Sequence, residues 1–235
     1  MKKIIHRSES RGYHDYGWLK TRHSFSFSRY YNPERMNFGV LRVLNDDIVS
    51  GGAGFGTHPH DNMEIISIPL YGSMVHKDST GQEMVIREGD VQIMSAGTGL
   101  YHSEYNHSGT EDLNFLQIWI IPKQRDIEPR YQQKDFPLSL RKNVLKTVIS
   151  PDEGDGLWIN QDAYLSLGQS DSDHTFTYSL KKPGNGLYIF VTEGGAVVGE
   201  DTLKRRDAMA ISDLHSVQIN TFPESEFLII EIPVE

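Results

Sequence analysis

Cysteine is absent from the 235 residues of this chain. Its absence excludes disulfide bonds, a cysteine nucleophile and every metal site that uses thiolate ligands. Any metal ion bound by this chain must therefore be held by histidine and carboxylate side chains. The chain contains ten histidines, so their spacing is informative about a possible site.

Long apolar runs and an excess of positive charge are missing too. No segment approaches the roughly 20 consecutive apolar residues that a membrane-spanning helix needs, and residues 1–11 are too polar for a secretory signal. The formal net charge of −9 disfavours binding to nucleic acids or anionic membranes, because both are polyanions. The basic run Lys204-Arg205-Arg206 is too short to indicate a surface for DNA. We therefore expect a cytoplasmic protein without nucleic-acid or membrane partners.

The pattern of apolar residues predicts an all-β fold. Short apolar and β-branched runs recur between Gly, Pro and Asp turn signals, and no long stretch keeps the 3.6-residue period of a helix. The clearest predicted strands cover residues 38–44, 63–70, 91–94, 113–121, 187–192 and 227–232.

Two similar halves are predicted from a weak internal repeat and a polar connection. The apolar run at residues 65–70 and its following turn resemble those at 187–192, and residues 122–137 are polar and contain three prolines. A proline-rich polar stretch suits a crossover better than a central strand. We therefore predict one domain over residues 1–135 and a second over residues 136–235.

Two short motifs carry the candidate chemistry. His58 and His60 stand at positions i and i+2, and in a strand such residues point to the same face. His102 and Glu104 repeat this arrangement 44 residues later. If both strands face one barrel interior, three imidazoles and one carboxylate converge; the alternative is that four polar residues share this spacing by chance.

A site of this composition is more typical of catalysis than of structure. A first-row metal ion that accepts five or six ligands would keep open positions for water, dioxygen or a chelating substrate. A structural zinc site would more usually recruit cysteine. Imidazole and carboxylate ligands accommodate Fe, Cu, Ni, Co, Mn or Zn, so the donor set alone leaves the metal open.

The motifs resemble those of a known family. The spacing around His58-x-His60 is similar to the first cupin motif, and Gly97-x-Gly99-x-x-His102 is similar to the second. The runs at residues 54–60 and 95–104 resemble the pirin family, most of all its bacterial quercetin 2,3-dioxygenase members, and further similarity extends over residues 10–135. The resemblance implies a bicupin of two tandem jelly-roll β-barrels. It also implies a metal ion in the N-terminal barrel, bound by His58, His60, His102 and Glu104.

The resemblance further implies an activity. Members of this type cleave the heterocyclic ring of a flavonol such as quercetin with dioxygen and release carbon monoxide. We expect Fe(II) as the metal, a polyphenol and dioxygen as substrates, and Glu104 as the catalytic proton acceptor. The residues expected to line the substrate pocket are Phe25, Phe27, Gln117 and Trp119, although aromatic residues in a barrel also serve as core.

Two other functions remain open at this point. Pirins are also linked to transcription regulators, so the chain is alternatively a regulatory metal-binding protein that acts through protein partners. The cupin scaffold also hosts metal-dependent isomerases and hydrolases, and a fold alone does not decide between such activities.

The second half lacks the same ligands. Its counterpart of the His-x-His strand is expected near residues 180–182, which contain no histidine. His215 is expected at the place of His102, but Val217 follows at i+2 where Glu104 follows His102. We therefore predict a C-terminal barrel without a metal site.

Overall fold

The computed structural model describes residues 1–152, 154 and 156–234. Its regular structure is almost entirely strand, and the described helices are two single 3-10 turns, Ser8–Ser10 and Leu138–Leu140. None of the helices in the described ranges has the length and apolarity to span a membrane. The all-β prediction is confirmed.

The strands of the first half are short and closely spaced. They are β1 (Lys2–His6), β2 (Gly12–Asp15), β3 (Leu19–His23), β4 (Leu41–Val49), β5 (Gly54–His60), β6 (Glu64–Tyr71), β7 (Ser73–Asp78), β8 (Glu83–Arg87), β9 (Asp90–Ser95), β10 (Leu100–Asn106), β11 (Leu113–Ile120) and β12 (Arg130–Asp135).

The strands of the second half are also short and closely spaced. They are β13 (Leu145–Ser150), β14 (Leu157–Trp158), β15 (Tyr164–Ser170), β16 (His174–Ser179), β17 (Asn185–Glu193), β18 (Gly195–Val198), β19 (Asp201–Lys204), β20 (Ala208–Ser212), β21 (Ser216–Thr221) and β22 (Ser225–Pro233).

Each half is a jelly roll made of one seven-stranded and one four-stranded sheet. The first contains the sheets β12-β9-β6-β11-β4-β3-β2 and β5-β10-β7-β8. The second contains β1-β20-β17-β22-β15-β13-β14 and β16-β21-β18-β19. The tandem cupin architecture expected from the sequence is therefore confirmed.

The first strand departs from the predicted domain division. Residues 2–6 form β1, which pairs antiparallel with β20 of the second half, with Ile4 opposite Ala210. The chain thus begins in the C-terminal sheet and enters the N-terminal one at β2. Residues 1–135 accordingly do not form one uninterrupted barrel.

The two seven-stranded sheets pack face to face and form the largest core of the molecule. Ile66 and Ile118 of the first sheet share a buried cluster with Leu165 and Ile230 of the second. Strands β6 and β11 are nearly buried on both faces, which explains their continuous apolar runs. One face meets the other half of the molecule, and the other face lines the N-terminal barrel.

The interiors of the two barrels differ in polarity. The C-terminal barrel encloses an apolar cluster that includes Phe176, Ile189 and Phe227. The N-terminal barrel has smaller apolar clusters and buries polar residues between its sheets, among them His102 and Glu104. Buried polar groups require partners, so this barrel is where a site is expected.

Candidate metal centre

Three histidines meet where β5 and β10 pair. The antiparallel register places His102 opposite His58, and His60 lies on the same face of β5 two residues further on. The centroids of the three rings are 4.5 to 4.8 Å apart. The structure therefore brings together the three imidazoles that the sequence placed on one face.

The geometry of these rings fits a shared metal ion. The Nε2 atoms of His58 and His102 are 3.1 Å apart, and two nitrogens about 2.1 Å from one ion at a near-right angle would be about 3 Å apart. His58 donates its Nδ1–H to the carbonyl oxygen of Gly56 at 2.7 Å, which leaves the Nε2 lone pair for a ligand bond. The Nε2 of His102 can meet this lone pair either as an N–H donor or across a shared metal ion.

Burial keeps two of the imidazoles neutral. It lowers the pKa of His60 to about 4 and that of His102 to about 2, and the neighbouring His58 contributes to both shifts. A neutral imidazole offers a lone pair to a metal ion, whereas an imidazolium does not. His60 and His102 are therefore in the ligating protonation state at neutral pH.

Glu104 lies on β10 two residues after His102 and points into the barrel. Its side chain is buried, and a bulge in the β5–β10 pairing falls between the two residues. Burial raises the pKa of Glu104 to about 7, while hydrogen bonds from Ser67 and Gln117 act in the opposite direction. A buried carboxylate without a cation is costly, so a metal ion beside it would stabilise the charged form.

A ring of hydrogen bonds holds this carboxyl group. Gln117 Nε2 donates to Glu104 Oε2 at 2.8 Å, and Ser67 Oγ lies 3.1 Å from Glu104 Oε1 and 3.0 Å from Gln117 Oε1. Ser67 has one proton, so all three contacts are hydrogen bonds only when Glu104 is protonated and donates to Ser67. The ring thus couples the orientation of Gln117 and Ser67 to the charge of Glu104.

His76 is a nearby group to which the sequence analysis assigned no role. It lies on β7 opposite Glu104, and its Nε2 is 2.9 Å from Asp78 Oδ2. Potential ligand atoms of His76, His102 and Glu104 lie within 4.8 Å of one another, as do those of His58, His60 and His102. The structure therefore contains two overlapping triads that share His102. The alternation His76-x-Asp78 on a strand was the signal that could have identified it.

A cavity of about 410 Å³ opens beside the histidine cluster. One part of its wall is aromatic and contains Trp18, Phe27, Phe55 and Trp119, and the other part is polar and contains Asn45, Asp47, Glu104 and Gln117. The volume falls within the range of about 300–1,000 Å³ that is common for small-molecule pockets. The ring of Trp119 packs edge-on against His60, with centroids 5.0 Å apart. The aromatic wall is thus continuous with the histidine cluster.

Three of the four expected pocket residues line this cavity. Phe27, Gln117 and Trp119 do so, and the donor nitrogen of Gln117 is engaged by Glu104. Phe25 lies elsewhere: it is buried in the core between the large sheets, with its ring centroid 5.5 Å from that of Tyr188. The chain leaves the sheet after β3, so the alternation that would have placed Phe25 beside Phe27 in the pocket does not hold.

Asp47 is a second carboxyl group in the cavity, and the sequence motifs did not identify it. It lies on β4, and burial raises its pKa to about 7. The predicted strand ended at residue 44, whereas β4 continues to Val49. The alternation of buried Val43, Asn45, Asp47 and Val49 was the available signal.

The counterpart of the His-x-His strand in the second barrel differs from the expected one. Strand order matches β16 with β5 and β21 with β10, so the counterpart is His174–Ser179 and not residues 180–182. Its buried residues are Phe176 and Tyr178. His215 precedes β21 and does not occupy the place of His102. Aromatic side chains thus fill the positions that correspond to the cluster, and a second barrel without a metal site remains a prediction.

Gly54 allows the close approach of β5 to β10 that the cluster requires. A Cβ atom at this position would lie 2.4 Å from the carbonyl oxygen of Glu104 and 2.5 Å from the Cα of Tyr105. We expect Gly54→Ala to lower the free energy of unfolding by about 1–3 kcal/mol, because backbone atoms must move to relieve the overlap. Urea denaturation of the metal-free protein measures this change.

Gly56→Ala is the matched control on the same strand. Its Cβ would lie 3.7 Å from the hydroxyl of Tyr105, an ordinary contact, and we expect stability to stay within about 1 kcal/mol of the unsubstituted protein. Equal destabilisation by the two substitutions would contradict the role of close strand approach at Gly54.

Family comparisons agree with this architecture. Residues 5–120 match the family model described as Pirin, and residues 147–232 match the one described as Quercetinase C-terminal cupin domain. The chain is 39% identical over 230 residues to a quercetin 2,3-dioxygenase of Escherichia coli (strain K12), covering 97% of this chain and 98% of the relative. It is 38% identical over 219 residues to a pirin-like protein of Caulobacter vibrioides, covering 92% of this chain and 94% of that protein.

A solved structure has the same fold. The bacterial pirin of Escherichia coli in complex with nickel(II) superposes with a TM-score of 0.94 at 36% identity, and the match covers 100% of both chains. A metal complex in a protein of this similarity agrees with the fit of the histidine cluster to a metal ion.

Proposed function

The chain belongs to the pirin family, and we propose that it is a metal-dependent ring-cleaving dioxygenase that acts on flavonols such as quercetin. The observation that carries the proposal is the histidine cluster, with a buried carboxyl group, at the wall of a partly aromatic cavity. The residues proposed to hold the metal ion are His58, His60, His102 and Glu104. We propose iron(II) as the metal, with nickel(II) as the alternative that the Escherichia coli relative suggests.

The metal ion and the protein would have separate tasks. When bound, the metal ion would supply the redox chemistry with dioxygen and would lower the pKa of a coordinated hydroxyl group. The protein would bind the flavonol, orient it and move its proton. No residue of this chain contains a thiol that could share the redox step.

Glu104 is the proposed acceptor of the proton from the flavonol 3-hydroxyl. Burial raises its pKa to about 7, and a bound metal ion would lower it. Glu104 would therefore accept the proton as its carboxylate loosens from the ion. Gln117 contacts one carboxyl oxygen and Ser67 the other. These two contacts hold the carboxyl group in one orientation, and Glu104 takes up the proton in that orientation.

The cavity supports a flat, polyhydroxylated substrate. Phe27 packs edge-on against Trp119, with centroids 5.2 Å apart, and Trp18 packs in the same way against Phe55 at 5.2 Å. Aromatic rings favour offset or edge-to-face contact with other rings. Asn45 on the polar wall can donate from Nδ2 to a hydroxyl, while its Oδ1 contacts His23 Nδ1 at 2.8 Å.

The experiment that tests this function is a dioxygen-uptake assay with protein loaded separately with Fe, Ni, Cu, Co, Mn or Zn. Quercetin is the substrate, and luteolin, which lacks the 3-hydroxyl, is the matched control. We expect dioxygen consumption and carbon monoxide release with quercetin for at least one metal and neither with luteolin.

The outcome also separates the alternatives. Metal-loaded protein that consumes no dioxygen with any flavonol would refute the dioxygenase proposal. A protein partner retained only by metal-loaded protein would then favour the regulatory function. Turnover of quercetin without dioxygen uptake would favour another metal-dependent reaction.

A further inference from the structure

A second cavity, of about 640 Å³, lies on the other face of the sheet that lines the metal centre. Strand β4 separates the two: Asp47 faces the metal cavity, and the adjacent Asp46 faces this one. The β19–β20 turn of the second half and the segment after β1 contribute the remaining walls. The cavity therefore lies at the junction of the two halves.

The charge of this cavity is opposite to that of the protein. Five cationic side chains line it: Arg11, Lys20, Arg22, Arg205 and Arg206. The acidic side chains that line it are Glu9 and Asp46, and Glu193 pairs with Arg205 and Arg206 from nearby. In a chain with a net charge of −9, such a cluster creates a local field that attracts anions.

Two of these guanidinium groups are buried and share one carboxylate. The side chain of Arg11 has no accessible surface and that of Arg206 is 7% accessible. Asp46 lies 3.3 Å from Arg11 Nη2 and 3.6 Å from Arg206 Nη1. Buried cations normally have full ion-pair and hydrogen-bond partners, because their desolvation is costly. Arg206 Nη2 also contacts Asn114 Oδ1 at 3.2 Å and Glu193 Oε1 at 3.3 Å. The Arg11 guanidinium lies 5.2 Å from the centroid of the Phe190 ring.

The donors of these groups are incompletely satisfied. Within residues 1–152, 154 and 156–234, no hydrogen-bond acceptor is found for the buried Nε and Nη1 of Arg11 or for Nη1 of Arg206. An unsatisfied buried donor costs about 1–3 kcal/mol. Three such donors thus lie on two side chains that line one cavity. These atoms have almost no accessible surface, so an anion with several oxygens would satisfy them as the two side chains turn toward the cavity.

The backbone at Arg206 supports a functional role for this side chain. Its φ is +68°, in the left-handed region that a branched or long side chain seldom occupies. The backbone N–H of Arg206 donates to the carbonyl oxygen of Val191, and the N–H of Val191 donates to the carbonyl oxygen of Asp207, which holds the turn in place. Strained residues of this kind concentrate at ligand sites, where the side chain must be aimed.

We propose that this cavity binds a small molecule that carries a phosphate or diphosphate group. Guanidinium groups match the oxygens of phosphate in a bidentate manner, and those of Arg22, Arg205 and Arg206 line this cavity beside the buried Arg11. The guanidinium of Arg22 lies over the ring of Tyr13, 4.7 Å from its centroid, and Tyr71 lines the cavity as well. The volume exceeds that of an inorganic ion, and these tyrosines can contact the organic part of the ligand.

Calorimetric titration with inorganic phosphate and with pyrophosphate tests the proposal at fixed ionic strength. We expect one pyrophosphate bound per chain, with phosphate weaker and acetate weaker still. Arg206→Gln should weaken pyrophosphate binding by about 10- to 100-fold, the effect of losing one charge-assisted contact. Arg22→Gln, at a partly exposed position, should weaken it in the same direction and provides a readout if the buried variant does not fold.

Lys204→Gln is the control, because it removes one positive charge from the same turn at an exposed residue that does not line the cavity. We expect its affinity to stay within about twofold of the unsubstituted protein. Each titration is done with metal-loaded and with chelator-treated protein. Three results would overturn the proposal: no saturable binding of pyrophosphate, equal affinities for the three variants, or binding that disappears with the metal and persists in Arg206→Gln. Tighter binding of acetate than of phosphate would reassign the cavity to carboxylates.

Discussion

Replacing His102 with alanine is expected to lower the affinity for Fe(II) or Ni(II) by more than about 100-fold, because loss of even an outer partner of a metal ligand costs about 10–100-fold. His102 belongs to both triads in the N-terminal barrel, so no alternative arrangement of ligands avoids it. Equilibrium dialysis followed by metal analysis gives the affinity and the number of ions per chain. His107→Ala is the matched control, since it removes an exposed histidine just after β10.

Two further variants determine which triad binds the ion. With the proposed ligands His58, His60, His102 and Glu104, His60→Ala abolishes high-affinity binding and His76→Ala weakens it only moderately. With the triad His76, His102 and Glu104 as ligands, the order is reversed. Unchanged metal content in His102→Ala would contradict both arrangements, and circular dichroism of each variant establishes that the comparison is between folded proteins.

The spacing of ligands was predictable because strand geometry is local. Residues i and i+2 share a face in any extended strand, so His58-x-His60 and His102-x-Glu104 define two pairs without knowledge of the fold. Their meeting depends on the β5–β10 register, which is set by contacts between distant segments. The sequence indicated that register only through the resemblance to known motifs.

The residues that surround the histidine cluster were not predictable in the same way. Ser67 and Gln117 are far from Glu104 in sequence, and they meet it because β6 and β11 belong to the opposite sheet of the barrel. His76 reaches the cluster across the β7–β10 pair. Such contacts depend on how the two sheets are stacked, which a single sequence does not encode in a local pattern.

The end of β4 and the pairing of β1 differ from the prediction for equally specific reasons. Asn45, Asp46 and Asp47 suggested the end of a strand, because polar residues of this kind favour turns. In the structure they continue β4: Asn45 and Asp47 face the cavity beside the histidine cluster, and Asp46 faces the cavity on the other side of the sheet. Strand β1 joins the second half through long-range pairing, and a short edge strand contains no local signal for its partner.

Glu104→Gln is expected to reduce quercetin turnover by at least about 100-fold at saturating metal, since loss of a general base typically costs about 10²–10⁴-fold. The amide keeps the size of the side chain and its place between Ser67 and Gln117, but it can no longer accept the proton of the 3-hydroxyl. Dioxygen uptake measures turnover. The absorption spectrum of bound quercetin should show the neutral flavonol in the variant and the anion in the unsubstituted protein.

Asp47→Asn is the control for this prediction, because it neutralises the other cavity carboxyl group whose pKa burial raises to about 7. Asp47 belongs to neither triad, so we expect a loss of less than about tenfold, below the range that removal of a general base produces. If Glu104→Gln turns over quercetin at the unsubstituted rate with full metal content, Glu104 is not the proton acceptor. If Asp47→Asn instead shows the larger loss and keeps quercetin neutral, the acceptor is Asp47, and the proton leaves toward β4 rather than toward the hydrogen-bonded ring around Glu104.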